Sequence, residues 1–156
     1  MVGETVYNLR AALDYLVYSL VHLGTARKPK DTQFPISRTQ QQFRKAVARR
    51  LREVTGAHRA AIANRQSYNG GEWLTRLQEL SNPDKHHRLV VVEPELRGTR
   101  AGAIRSGSDG IRIDPTESHH WRVIAFEADR LSVVEVLDSL RANVTEAIGS
   151  FAPDFA

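Results

Sequence analysis

The chain has 156 residues, 41% hydrophobic and 26% charged, which is the size and composition of one folded domain with its own core. It has no cysteine, which excludes disulfide scaffolds, thiolate nucleophiles and Cys-ligated zinc or iron–sulfur sites, and fits a reducing, cytoplasmic compartment. The net charge of +4 hides an asymmetry, because residues 1–88 carry 15 basic and 7 acidic groups while residues 89–156 carry 7 and 11.

The first predicted element is an amphipathic helix over residues 3–23. Val6, Leu9, Leu13, Leu16, Val17 and Leu20 recur at three- and four-residue steps and form one apolar stripe. Arg10 and Asp14 near its middle argue against a membrane span, and its flanks are not those of a signal peptide. Gly24 is the expected stop. Residues 25–37 read as a loop with Pro29 and Pro35, pinned to the core by Phe34 and Ile36. Ser37 or Thr39 caps a second helix to about Val54, with Phe43, Val47, Leu51 and Val54 inward and Lys45, Arg49 and Arg52 on another face. A short helix follows from Ala57 to Arg65, then a turn at Tyr68-Asn69-Gly70-Gly71, then a helix from Glu72 to Leu80. Asn82, Pro83 and Asp84 read as a fresh helix start.

From residue 89 the character changes. Leu89-Val90-Val91-Val92, the segments around Ile104 and Ile111–Ile113, and Trp121–Glu127 are strand-like, with glycines between them as hairpin turns. Ser132 caps a last helix to about Phe151. The expected fold is therefore a single α+β domain: an N-terminal helical layer of about four helices, a small antiparallel β-meander and a C-terminal helix.

Three groups of residues bear on function. Arg10 and Asp14, four apart, border the apolar stripe beside Tyr7 and Tyr18, where a half-buried charge needs a partner. As an isolated intrahelical pair they are worth only tenths of a kcal/mol. Asp84, Lys85 and His86 supply an acceptor, a cation and a group that titrates near neutrality; capping explains Asn82 and Pro83 without requiring Lys85 or His86. Segment 27–65 holds 11 basic groups against Asp31 and Glu53, and 18 of the 22 basic residues of the chain are arginine. That bias suits bidentate phosphate contact, and equally a GC-rich genome. His86-His87 and His119-His120 are adjacent pairs whose rings diverge by about 100° on a helix, so no metal site is expected, and no cofactor motif is present.

The segment Gly3-Glu4-x-Val6-Tyr7-Asn8-Leu9-Arg10-x-x-Leu13-Asp14 resembles the opening helix of a family of uncharacterised bacterial and phage proteins. That family continues with a Thr-x-Phe-Pro-Ile-like loop, here Thr32–Ile36, and a Gln-Pro-Tyr turn, here Gln66-Ser67-Tyr68. A Leu-x-x-Leu-Ser-Asn-x-Asp-Lys-His-Arg segment follows, here Leu77–His86. The resemblance implies that these polar positions belong together, with the first helix against the Asp84-Lys85-His86 segment. The chain departs from the pattern in having Tyr15 where the family has His, and in starting almost inside the first helix, which leaves apolar surface for a partner subunit. Arg10 followed by Tyr15 is also similar to the Arg-to-His signature of HEPN-type helical RNases, without its titrating group.

The preferred reading is a dimeric, non-enzymatic interaction protein of bacterial or phage origin. Its basic helical face would contact nucleic acid or an acidic protein through Lys45, Arg49, Arg52 and Arg59. The alternatives are a HEPN-like hydrolase, in which Arg10 stabilises phosphate charge, His86 is acid or base and Asp14 or Asp84 orients it, and a purely structural polar cluster.

Overall fold

A computed structural model describes residues 2–24, 31–82 and 131–156 in full, together with the backbone of four short strands lying between residues 89 and 126. The chain divides into two compact units, one made of Met1–His87 with Val133–Ala156, the other of Arg88–Ser132.

The first unit is helical. Helix α1 (Val2–Gly24) buries Val6, Leu13, Leu16, Val17, Leu20 and Val21, with Leu9 half-buried at the edge of the stripe. It packs against α4 (Glu72–Ser81), which contributes Leu74, Leu77 and Leu80, and against α5 (Val133–Gly149), which contributes Val133, Val136, Leu140 and Val144. The stripes of the first and last helices therefore close on each other.

Helix α2 (Gln40–Arg50) starts at Thr39, whose Oγ1 accepts the Gln42 N–H at 3.2 Å. The Gln42 side chain reaches back to accept the Arg38 N–H at 2.9 Å, so two donors at this helix start are satisfied reciprocally. The expectation that α2 continues to Val54 is corrected. The helix stops at Arg50, and residues 51–54 form a turn that still buries Leu51 and Val54. Arg59, on α3 (Gly56–Asn64), holds this turn in place: its guanidinium donates to Leu51 O at 3.0 Å and Arg52 O at 2.6 Å, and the Val54 N–H also bonds Leu51 O at 3.1 Å. Thr55 caps α3 by accepting the His58 N–H at 3.2 Å.

Between α3 and α4 the chain makes a 3-10 turn (Ser67–Asn69) and passes through Gly70 at φ +93°. Gly71 is required by space: a Cβ there would lie 1.6 Å from the Arg65 carbonyl oxygen. Gln66, with no exposed surface, accepts the Ser37 N–H at 2.8 Å and donates to Ile62 O at 3.1 Å, tying the 31–37 loop to this turn. After α5 the buried Phe151 is covered by α3: the Arg65 guanidinium stands 5.4 Å over its ring and bonds Ser150 Oγ at 2.6 Å, and His58 lies 3.3 Å from Asp154.

In the second unit, β1 (Leu89–Val92) pairs antiparallel with β4 (Val123–Phe126), Leu89 opposite Phe126. Strand β2 (Ile104–Gly107) pairs antiparallel with β3 (Gly110–Ile113), Ile104 opposite Ile113. These are two separate two-stranded ladders, nested in sequence. The α+β reading is thereby corrected. The described protein is mainly helical, with five α-helices, and no meander links its strands into one sheet. That reading assumed one sheet of successive strands, whereas β1 pairs with β4 around the β2–β3 hairpin; within the helical unit, the helices bury their stripes on one another. No helix among the described residues is long and apolar enough to cross a membrane.

Candidate functional site

Arg10 and Asp14 do come together, and their common partner is the backbone of Phe34. The Asp14 carboxylate accepts the Phe34 N–H at 2.8 Å, and the Arg10 guanidinium donates to the Phe34 carbonyl at 2.6 Å. The two side chains lie 3.3 Å apart, 15% and 29% exposed. They hold both backbone polar groups of one residue much as a neighbouring strand would, and they do so because Phe34 is driven inward. Burial lowers the pKa of Arg10 against the attraction of Asp14, with Arg50 adding repulsion. Burial likewise raises the Asp14 carboxyl, opposed by Arg10, the Phe34 N–H, Arg50 and Gln33. Desolvation outweighs attraction at both members of the pair, as expected for an ion pair drawn partly out of water.

Asp84, Lys85 and His86 lie outside the described residues, as do the adjacent histidine pairs. Among the described residues no group of His, Asp or Glu is arranged to hold a metal ion.

A groove of about 560 Å³ runs between α2 and α4. One wall is formed by α2, with exposed Lys45 and Arg49 and half-buried Arg50; the other is the last part of α4, with Gln78 and Glu79; Ile36, Ser37 and Arg38 close one side. Arg38 pairs with Glu79 at 2.7 Å, so the carboxylate that lines the groove is already engaged. Lys45, Arg49 and Arg50 form no ion pair with any described residue. Of the four basic positions expected from the sequence, Lys45 and Arg49 line this groove. Arg52 is exposed in the turn after α2 and does not line it, and the guanidinium of Arg59 is committed to the carbonyls of residues 51 and 52. Arg38 and Arg50 were not singled out by the sequence. Their signal was membership of the basic 27–65 segment, which marks a charged region without saying which side chains share a wall.

The 31–37 loop joins the two sites. Phe34 is held by Arg10 and Asp14, while Ile36 and Ser37, two and three residues on, line the groove.

No known protein family, curated protein or solved structure matches the chain.

Proposed function

We propose that this chain binds nucleic acid through the α2–α4 groove, with phosphates meeting Lys45, Arg49 and Arg50. The observation that carries this reading is the row of three cations along one wall, facing an opposite wall whose carboxylate, Glu79, is paired with Arg38. A polyanion gains from such a wall mainly by releasing its own counterions. The contacts expected from Arg52 and Arg59 pass to Arg50 and, in part, Arg38. The same geometry argues against a hydrolase built on Arg10 and Asp14, since both groups are bound to the Phe34 backbone.

Fluorescence anisotropy with labelled oligonucleotides across a salt series tests this. Three phosphate contacts should give a slope of log K against log salt of about −2 to −3. The Lys45→Ala/Arg49→Ala variant, altered at two exposed positions, should keep its thermal stability and lose most of the affinity and of the slope. Affinity that survives high salt, or is unchanged in the variant, overturns the reading. Binding of polyglutamate with none of oligonucleotide reassigns the groove to an acidic protein.

A further inference from the structure

Phe34, Phe43 and Phe151 are buried and Phe155, near the end of the chain, is 45% exposed, whereas three of the four tyrosines of the chain stand exposed together on one helix. On α1, Tyr7 is 71% exposed, Tyr15 72% and Tyr18 38%. Tyr7 and Tyr18 are eleven residues apart, three helical turns, so they lie on one line along the helix, with Asp14 between them and Tyr15 to one side. Tyr18 also stacks with His22, ring centroids 6.1 Å apart and planes 17° from parallel. Tyrosine is a rigid, amphipathic platform, and a helix that needed only a solvated face would carry flexible charged side chains there.

The helix that carries this line is tied to the basic groove through Arg10 and Asp14. Asp14 and Arg10, on or beside the line, hold Phe34; Ile36 and Ser37, within about 10 Å of chain, line the groove. Arg50, on the groove wall, is close enough to act electrostatically on both Asp14 and Arg10. A ligand that crosses from one surface to the other meets cations first and exposed rings next. Duplex nucleic acid offers phosphates but keeps its base faces covered. A single strand offers both, and aromatic platforms beside a cationic track suit it.

We infer that the ligand is single-stranded nucleic acid, its backbone in the α2–α4 groove and its bases stacked on the α1 tyrosines. This rests on the nucleic-acid reading of the groove, and the test separates the two. The probes are a single-stranded oligothymidine, an oligouridine and a duplex of the same length, measured on wild type, Lys45→Ala/Arg49→Ala and Tyr7→Ala/Tyr15→Ala, with Tyr7→Leu/Tyr15→Leu as a second variant of similar bulk. Tyr7 and Tyr15 are exposed, so both tyrosine variants should match the wild-type melting temperature. Wild type should prefer single strands over duplex. The tyrosine variants should bind single strands about tenfold more weakly per lost stack and leave duplex affinity unchanged, while the groove variant weakens both. Equal binding of single strands and duplex, or tyrosine variants that bind single strands as wild type does, overturns this inference and leaves the groove reading standing. Absence of binding to every probe removes both. A wild-type dimer that the tyrosine variants convert to monomer, without loss of single-strand affinity, assigns the tyrosines to a second copy of the chain and also overturns the inference.

Discussion

Replacing Asp14 by alanine separates a structural clamp from a catalytic group. The substitution removes the 2.8 Å acceptor of the Phe34 N–H, on a residue with no exposed surface. A buried donor left unmet costs about 1–3 kcal/mol. It also strips Arg10 of the carboxylate 3.3 Å away, while Arg10 keeps its 2.6 Å bond to the Phe34 carbonyl. Breaking a fully buried ion pair costs about 3–5 kcal/mol, but a carboxylate that is 29% exposed lets water approach and reduces that share. The sum is about 2–4 kcal/mol, or roughly 5–15 °C in melting temperature for a chain of this size. Urea unfolding followed by circular dichroism measures it. Asp14→Asn keeps an oxygen for the Phe34 N–H and removes a charge that burial disfavours, so its cost should be clearly smaller than that of Asp14→Ala. An Asp14→Ala protein within about 0.5 kcal/mol of wild type, the range of an unremarkable surface change, would refute the clamp. The sign of the pH dependence is also set. The folded pKa of Asp14 is raised, chiefly by burial, so its protonation favours the folded state. That contribution is complete below the unfolded value of about 4 and is lost as pH rises through the folded pKa. The stability of wild type relative to Asp14→Asn should therefore fall as pH is raised from about 4, and level off once the carboxyl is ionised.

Three further outcomes follow from the packing. Gly71→Ala places a Cβ 1.6 Å from the Arg65 carbonyl oxygen, a backbone atom that cannot rotate away, and should cost about 3 kcal/mol or more, read as a large drop in urea midpoint. Gln66→Leu preserves the buried volume but orphans the Ser37 N–H, for about 1–3 kcal/mol; amide exchange at Ser37 should accelerate correspondingly. Thr39→Ala removes the α2 cap and should cost about 1 kcal/mol in thermal or chemical unfolding, with the fold retained.

The helices with apolar stripes were legible because burial at three- and four-residue steps needs only local sequence. The stripe of α1 came through with few displacements, Leu9 being half-buried and Val21 joining the core. On α4 the expected choice of Trp73 or Leu74 falls on Leu74, with Leu77 and Leu80. On α5 the expected Val133, Leu140 and Val144 are buried, Val136 is taken over Leu137, and Ala147 replaces the expected Ile148. The end of α2 was not legible. Phe43, Val47, Leu51 and Val54 keep a helical spacing, yet a turn buries the last two equally well, and the groups that stabilise it sit on Arg59. For Arg10 and Asp14 the pattern pointed to a missing partner, but that partner is the backbone of Phe34, 24 and 20 residues on, which side-chain periodicity does not register. Gln66 carried no signal in the periodicity, since its role depends on Ser37, 29 residues earlier. The fold class went astray because four strand-like segments suggested a meander, while pairing joins the first with the last.

The packing of α1 against α5 also bears on how the protein is made. The stripe of α1 finishes emerging at residue 24, and its α5 cover begins only at Val133. At about 5–20 residues per second, roughly 6–25 s of synthesis separate the two completed helices, during which that apolar surface has no native cover from α5. The nascent chain should therefore engage holdase chaperones until α5 leaves the ribosome, and truncation before α5 should yield an aggregating product rather than a smaller folded one.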